Sequence, residues 1–94
     1  MDKTIWKYEL NVADITYIDM PENAEILSIH IQDEIPCIWA LVDKDNINET
    51  RVFEIYGTGH PITGNHKNKK FIGTFLINND TLVFNVFEYS NEGE

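Results

Sequence analysis

The residues best placed to do chemistry lie in Tyr56-Gly57-Thr58-Gly59-His60-Pro61-Ile62, where a hydroxyl and an imidazole sit among two glycines and a proline. Glycines on both sides of Thr58 give the backbone access to positive φ and to close approach by a ligand. Pro61 pushes His60 toward an extended conformation, which limits where its ring can point. A loop of this kind has backbone N–H groups to spare and could cradle an anion or the edge of a base. It could equally be a structural corner between two strands, with His60 bonded to a nearby carbonyl.

No other segment offers stronger chemistry. His30, His60 and His66 fall on separate elements with no i+4 partner and no spacing typical of a metal site. Ser28 and Ser90 are the only serines, and neither sits on a nucleophile elbow. Cys37 follows a proline within a strand, where a small buried hydrophobe is the usual role. The carboxylates are spread over polar faces without forming an acid/base pair. These readings favour a binding protein over an enzyme, with neither metal nor cofactor.

Aromatic and cationic residues point to the class of ligand. Trp6, Tyr8 and Trp39 lie on strands, where rings pack into cores or interfaces and can also stack bases. Lys7, Arg51 and Lys70 sit beside strand aromatics and could neutralise phosphates. The candidate ligand-binding set is therefore Lys7, Tyr8, Trp39, Arg51, Thr58, Gly59, His60 and Lys70.

A formal net charge of −9 argues against long nucleic acid or anionic lipid as a partner, since both require a basic surface. It permits a small anion in a local pocket, and it also suits an acidic decoy of nucleic acid. The 94 residues, 43% of them hydrophobic, suffice for one small domain spanning 1–94. The single cysteine suits a reducing compartment. With no apolar run long enough for a signal peptide or membrane span, a cytoplasmic location is expected.

The elements that must position these residues read as strands. In Thr4 to Leu10, Trp6, Tyr8 and Leu10 share a face opposite Lys7 and Glu9. Asp14 to Met20 alternates less cleanly and ends at Pro21. Glu25 to Gln32 and Ile35 to Asp43 flank an Asp33-Glu34 turn, a register that sets Ile29 against Ile38 and Leu27 against Ala40. The opposite face, with Cys37, Trp39 and Leu41, is apolar enough to need cover from another sheet or subunit. After a polar loop from Lys44 to Thr50 comes a strand from Arg51 to Tyr56, with Phe53 and Ile55 on one face. Thr63 to Lys69 has no apolar anchor and reads as a mobile loop. Lys70 to Ile77 and Thr81 to Tyr89 form a hairpin around Asn78-Asn79-Asp80; Phe71, Phe75 and Ile77 alternate on one strand and Leu82, Phe84 and Val86 on its partner, and Gly73 marks a bulge or a close contact. Asn91 to Glu94 reads as a frayed acidic tail. The expected fold is all-β and mainly antiparallel, a small sandwich or rolled barrel of about six strands with at most a short helical turn. So much apolar surface on second faces predicts a homo-oligomer, a dimer or tetramer.

Thr4 to Leu10, Pro36 to Asp43, Gly57 to Ile62, Phe71-Ile72-Gly73-Thr74-Phe75 and Leu82 to Glu88 together resemble a widespread family of small bacteriophage and prophage proteins. Asp33-Glu34 and Asn85 depart from that pattern, which often has Asn-Gly and His there, so no role for that imidazole carries over. The resemblance points to the anti-CBASS sponges, which oligomerise and sequester cyclic dinucleotides such as 3′,3′-cyclic GMP–AMP without cleaving them. It implies action in the host bacterial cytoplasm. In such a site Trp39 or Tyr8 would stack a base, while Thr58, Gly59 and His60 would bond a phosphate or base edge. Lys7, Arg51 or Lys70 would supply charge. The contrasting expectation is an acidic phage protein that inhibits a host enzyme by direct contact.

Overall fold

Alternation of apolar and polar side chains decides both the elements and their sidedness. A computed structural model describes residues 2–64 and 66–90, apart from the side chain of His66; the expected C-terminal tail lies outside the described residues. Seven strands form: β1 (Lys3–Glu9), β2 (Ile15–Pro21), β3 (Glu25–Gln32), β4 (Ile35–Asp43), β5 (Asn48–Gly57), β6 (Lys69–Ile77) and β7 (Leu82–Tyr89). A 3-10 turn, His66–Asn68, precedes β6. Every strand pairs antiparallel with its neighbours, in a three-stranded sheet ordered β1-β4-β3 and a four-stranded sheet ordered β2-β5-β7-β6. The fold is the expected small all-β sandwich, with seven strands where about six were expected.

The sheets pack mainly through β3 on β6, with β4 over β2. Between them lie Ile29, Ile38, Ala40 and Val42 from one sheet and Ile18, Met20, Phe53, Ile55, Phe75 and Val86 from the other. Each large apolar side chain removed from water here contributes about 1.5–3 kcal/mol. Gly73 allows the closest approach, since a Cβ there would lie 2.6 Å from Ile29 Cγ2.

Three details differ from the alternation read along the sequence. A bulge between Ile26 and Ser28 sets Ile26, not Leu27, opposite Ala40, while Ile29 does face Ile38. Leu27 is the extra residue and turns to solvent. A second bulge between Phe71 and Gly73 puts Phe71 on the outer face, opposite Phe87, although Phe75 and Ile77 keep the inward phase. Strand β5 begins at Asn48, within the expected loop, because Asn48, Glu49 and Thr50 pair with the end of β2. The other sheet covers the Ile38 side of β4 and leaves Trp39 and Leu41 on the outer surface, with Cys37 buried beside them.

The hairpin turns use left-handed backbone. Asp33 and Glu34 have φ of 52° and 67°, the two-residue geometry that matches strand twist. Asn78, Asn79 and Asp80 all lie near +60°, where Asn and Asp cost less than other side chains. The expected loop from Thr63 to Lys69 is only partly described. Within it Asn68 is buried, and its carbonyl accepts a hydrogen bond from Ser90 N–H at 2.7 Å.

Candidate functional site

The glycine-rich loop leaves β5 at Gly57 and is fastened to the sheet at several points. Thr58 N–H donates to Val83 O and His60 N–H donates to Gly57 O, each at 3.0 Å. Gly59 adopts φ +90°, a conformation that favours glycine, and its N–H has no acceptor among the described residues. Gly57 is needed for space instead. A Cβ there would lie 2.8 Å from His60 Nδ1, so the imidazole rests against the bare backbone. Asn85 on β7 ties loop to sheet by donating through Nδ2 to Thr58 Oγ1 at 2.9 Å and to Tyr56 O at 3.2 Å. Its Oδ1 accepts from Thr74 Oγ1 at 2.9 Å, which fixes the amide orientation.

This loop divides two concavities. The larger, about 550 Å³, opens toward the β1–β2 connection and is lined by Val12, Asp14, Ile15, His60, Thr63 and Phe84, among others. The smaller, about 190 Å³, lies toward the outer face of the four-stranded sheet, between the loop and Phe71, Asn85 and Phe87. Tyr56, Gly57 and His60 line both. Neither lining contains a lysine or arginine, and the larger contains Asp14 and Glu54.

Beside the smaller concavity is a continuous aromatic surface. Cross-strand registry places Tyr17, Val52, Tyr89 and Lys69 in one row and Ile15, Glu54, Phe87 and Phe71 in the next. Phe87 meets Tyr56 and Phe71 edge-on, with ring centroids 5.9 and 5.4 Å apart. Tyr17 is 68% exposed and Phe71 55%. Within this surface Lys69 Nζ bonds Glu54 Oε1 at 2.5 Å, Tyr56 O–H donates to the same oxygen at 3.1 Å, and Nζ lies 5.7 Å from the Tyr89 ring centroid. Side-chain exposure is only 5% for Lys69 and 15% for Glu54. The bond to Glu54 raises the Lys69 pKa against the opposing effect of burial.

The candidate ligand-binding residues fall into four separate places. Thr58, Gly59 and His60 stand together at the loop. Lys7 and Trp39 are cross-strand partners on the outer face of the three-stranded sheet, where His30 meets Trp39 edge-on at 5.9 Å and Lys7 Nζ donates to Gln32 Oε1. Tyr8 faces the other side of that sheet and packs against the core; its buried hydroxyl has no partner among the described residues, and burial raises its pKa. Arg51 and Lys70 line a polar cleft at another edge, with Glu49 and Glu88. There Arg51 grips Glu88 through Nε and Nη2 and donates from Nη1 to Ala24 O at 2.8 Å, so its guanidinium is committed to holding the β2–β3 turn. Hydrogen bonding to Glu88 raises its pKa. Of the three cations expected to supply charge, Arg51 and Lys70 share this cleft, and Lys7 lies on the other sheet.

The residues that surround the loop, Tyr56, Phe71, Asn85 and Phe87, were not among the candidates. The inward phase of Leu82, Phe84 and Val86 implied that Asn85 and Phe87 point outward, so that signal was available in the sequence. Phe71 carried no such signal, because the bulge reverses its side.

Among the described residues no three His, Cys, Asp or Glu side chains are grouped so as to hold a metal, and no helix is long and apolar enough to cross a membrane. No curated protein and no solved structure matches the chain. A family model matches all of residues 1–94, and the chain belongs to that family, described as a domain of unknown function, DUF7352.

Proposed function

We propose that the protein acts by binding, without covalent chemistry, and that its ligand is a cyclic dinucleotide held where the glycine loop meets the aromatic outer face. The observation that carries this reading is the half-open ring cluster of Tyr56, Phe71 and Phe87 beside a loop whose exposed Gly59 N–H has no acceptor among the described residues. Exposed rings stack bases of any sequence, each for about 1–3 kcal/mol. The Thr58 hydroxyl, the Gly59 N–H and the His60 imidazole supply directional contacts to a phosphate or base edge. With two carboxylates and no cation lining the concavities, the phosphates would lie toward the loop and solvent, not in the larger cleft. In a phage-encoded protein such binding would withdraw the second messenger from CBASS immunity, as the family resemblance implies.

The acidic lining favours a second reading, direct contact with a basic surface of a host enzyme. Titration calorimetry against a panel of cyclic di- and trinucleotides, with the recovered ligand analysed for integrity, separates the possibilities. Intact ligand bound in proportion to protein, with affinity lowered by Phe71→Ala and His60→Ala, supports sequestration. Linear product would replace it with a phosphodiesterase. Absence of heat with every nucleotide would leave contact inhibition as the reading to pursue.

A further inference from the structure

We infer that β1 is a self-association edge, across which two copies of the chain join their three-stranded sheets into one six-stranded sheet. This rests on the edge itself and needs no nucleotide.

The sandwich has four sheet edges, of which two carry a bulge and a third ends on a proline. Strands β3 and β6 each carry a bulge, between Ile26 and Ser28 and between Phe71 and Gly73. Strand β2 ends on Pro21. Bulges and prolines are the usual devices that prevent strand addition. Strand β1 has neither, and it runs in unbroken register with β4 over all seven of its residues. Six of those seven are exposed, including Ile5 at 55% and Trp6 at 41%. Trp6 faces the same side as Tyr8, toward the layer of the core. Yet the four-stranded sheet packs under β4 and β3, so the ring projects beyond that cover. Apolar side chains exposed on both faces of an edge with neither bulge nor proline mark a place where another strand can add, provided it answers the charges of Lys3, Lys7 and Glu9.

The charges on β1 select a second copy as that strand, and they select its register. A two-fold axis perpendicular to the sheet keeps each face continuous and requires antiparallel pairing of residues of the same parity. Centred on Trp6, it sets Lys3 of each copy opposite Glu9 of the other, giving two opposite-charge pairs, and it pairs Thr4 with Tyr8 and Ile5 with Lys7. All seven residues then pair, and the two Trp6 rings cover each other. Centring on Ile5 opposes Lys3 with Lys7, and centring on Lys7 opposes the two Lys7 side chains; like charges directly across a ladder destabilise it.

Sedimentation equilibrium of the full chain, without nucleotide and at low ionic strength, tests the edge. A concentration-dependent dimer is expected. Glu9→Lys makes both opposite-charge pairs repulsive and should weaken association by roughly fourfold or more, at ~0.2–1 kcal/mol for each attraction lost and each repulsion gained. The double change Lys3→Glu with Glu9→Lys should restore it. Both positions are exposed, and unchanged circular dichroism would show that the variants fold. A monomer at every concentration overturns the inference, as does a dimer indifferent to Glu9→Lys or one not rescued by the swap. Calorimetry with nucleotides remains a separate measurement, so either proposal can fail alone.

Discussion

The four-stranded sheet carries two ion pairs, Arg51–Glu88 on its inner side and Lys69–Glu54 on its outer side, and both are largely withdrawn from water. The inner pair is enclosed as expected, at the margin of the layer between the sheets, where Arg51 also holds Ala24 O. The outer pair has no opposing layer. Its cover comes from the Tyr56 hydroxyl on Glu54, from the Tyr89 ring beside Lys69, and from the loop at Gly64, where a Cβ would lie 3.5 Å from Lys69 Nζ. An exposed ion pair usually contributes little, about 0–1 kcal/mol, because solvent screens it. A pair hidden within a ring cluster holds those rings in place. The inner pair thus fastens a turn, whereas the outer pair stiffens a surface that is open to a ligand.

The largest expected effect is on the inner pair. Glu88→Gln leaves the Arg51 guanidinium enclosed without its counter-charge and should cost about 2–4 kcal/mol in denaturant unfolding, since a broken buried pair strands its partner. A cost below about 1 kcal/mol would place the pair in the class of screened surface contacts and erase the contrast drawn here.

Lys69→Met should cost less, on the order of 1–3 kcal/mol, because the methionine keeps the apolar contact while Glu54 retains the Tyr56 hydroxyl. Its pH dependence is more telling. The folded state raises the Lys69 pKa, so its contribution is complete below the ordinary lysine value of 10.5 and is lost as pH rises through the folded value. Tyr8 acts in the same direction, because the unfolded chain ionises near 10.0 while burial keeps the folded phenol neutral. Burial also raises the Cys37 thiol from its ordinary 9.0, so stability should begin to fall on the alkaline side of about pH 9. Lys69→Met should flatten that fall while leaving the part due to Tyr8 and Cys37, as alkaline unfolding curves of the two proteins would show.

Alternation made much of this architecture legible. The bounds of β3 and β4, the Asp33-Glu34 turn and the inward phase of Phe53 and Ile55 all follow from side-chain period and turn chemistry. The ends of β5 could not be read locally, because Asn48 to Thr50 become strand only by pairing with β2, about thirty residues earlier. Phe71 and Leu27 were misplaced for one shared reason. A single bulge reverses every side chain on one flank, and its position depends on which strands meet. At the site, the loop was visible from its glycines, while its aromatic neighbours on β6 and β7 required the order of the sheet. Arg51 and Lys7 looked available because their partners, Glu88 and Gln32, are remote in sequence.

Gly57→Ala probes the loop end of the outer face. Its new methyl group would displace the His60 ring, a side chain that can swing outward, so stability should change by less than about 1 kcal/mol. Nucleotide affinity should fall by more than that stability change implies, because the imidazole loses its fixed position between the two concavities. Equal affinity in calorimetry would remove His60 from the site.

The smallest stability effect should come from Tyr17→Ala, yet it bears most directly on what the outer face is for. Tyr17 lies in the same cross-strand row as Val52, Tyr89 and Lys69, but on edge strand β2 and 68% exposed. Removing so open a ring should move unfolding by no more than about 0.5 kcal/mol. If the ligand occupies only the loop end of the face, affinity will be unchanged as well, and the binding surface will be confined to Tyr56, Phe71 and Phe87. If the whole row stacks against the ligand, affinity should drop by roughly fivefold or more, the low end of what one base–ring contact contributes. A ring whose loss leaves folding intact but weakens binding would show that the outer pair stiffens a surface used along its full width, a distinction that the inner pair cannot reveal.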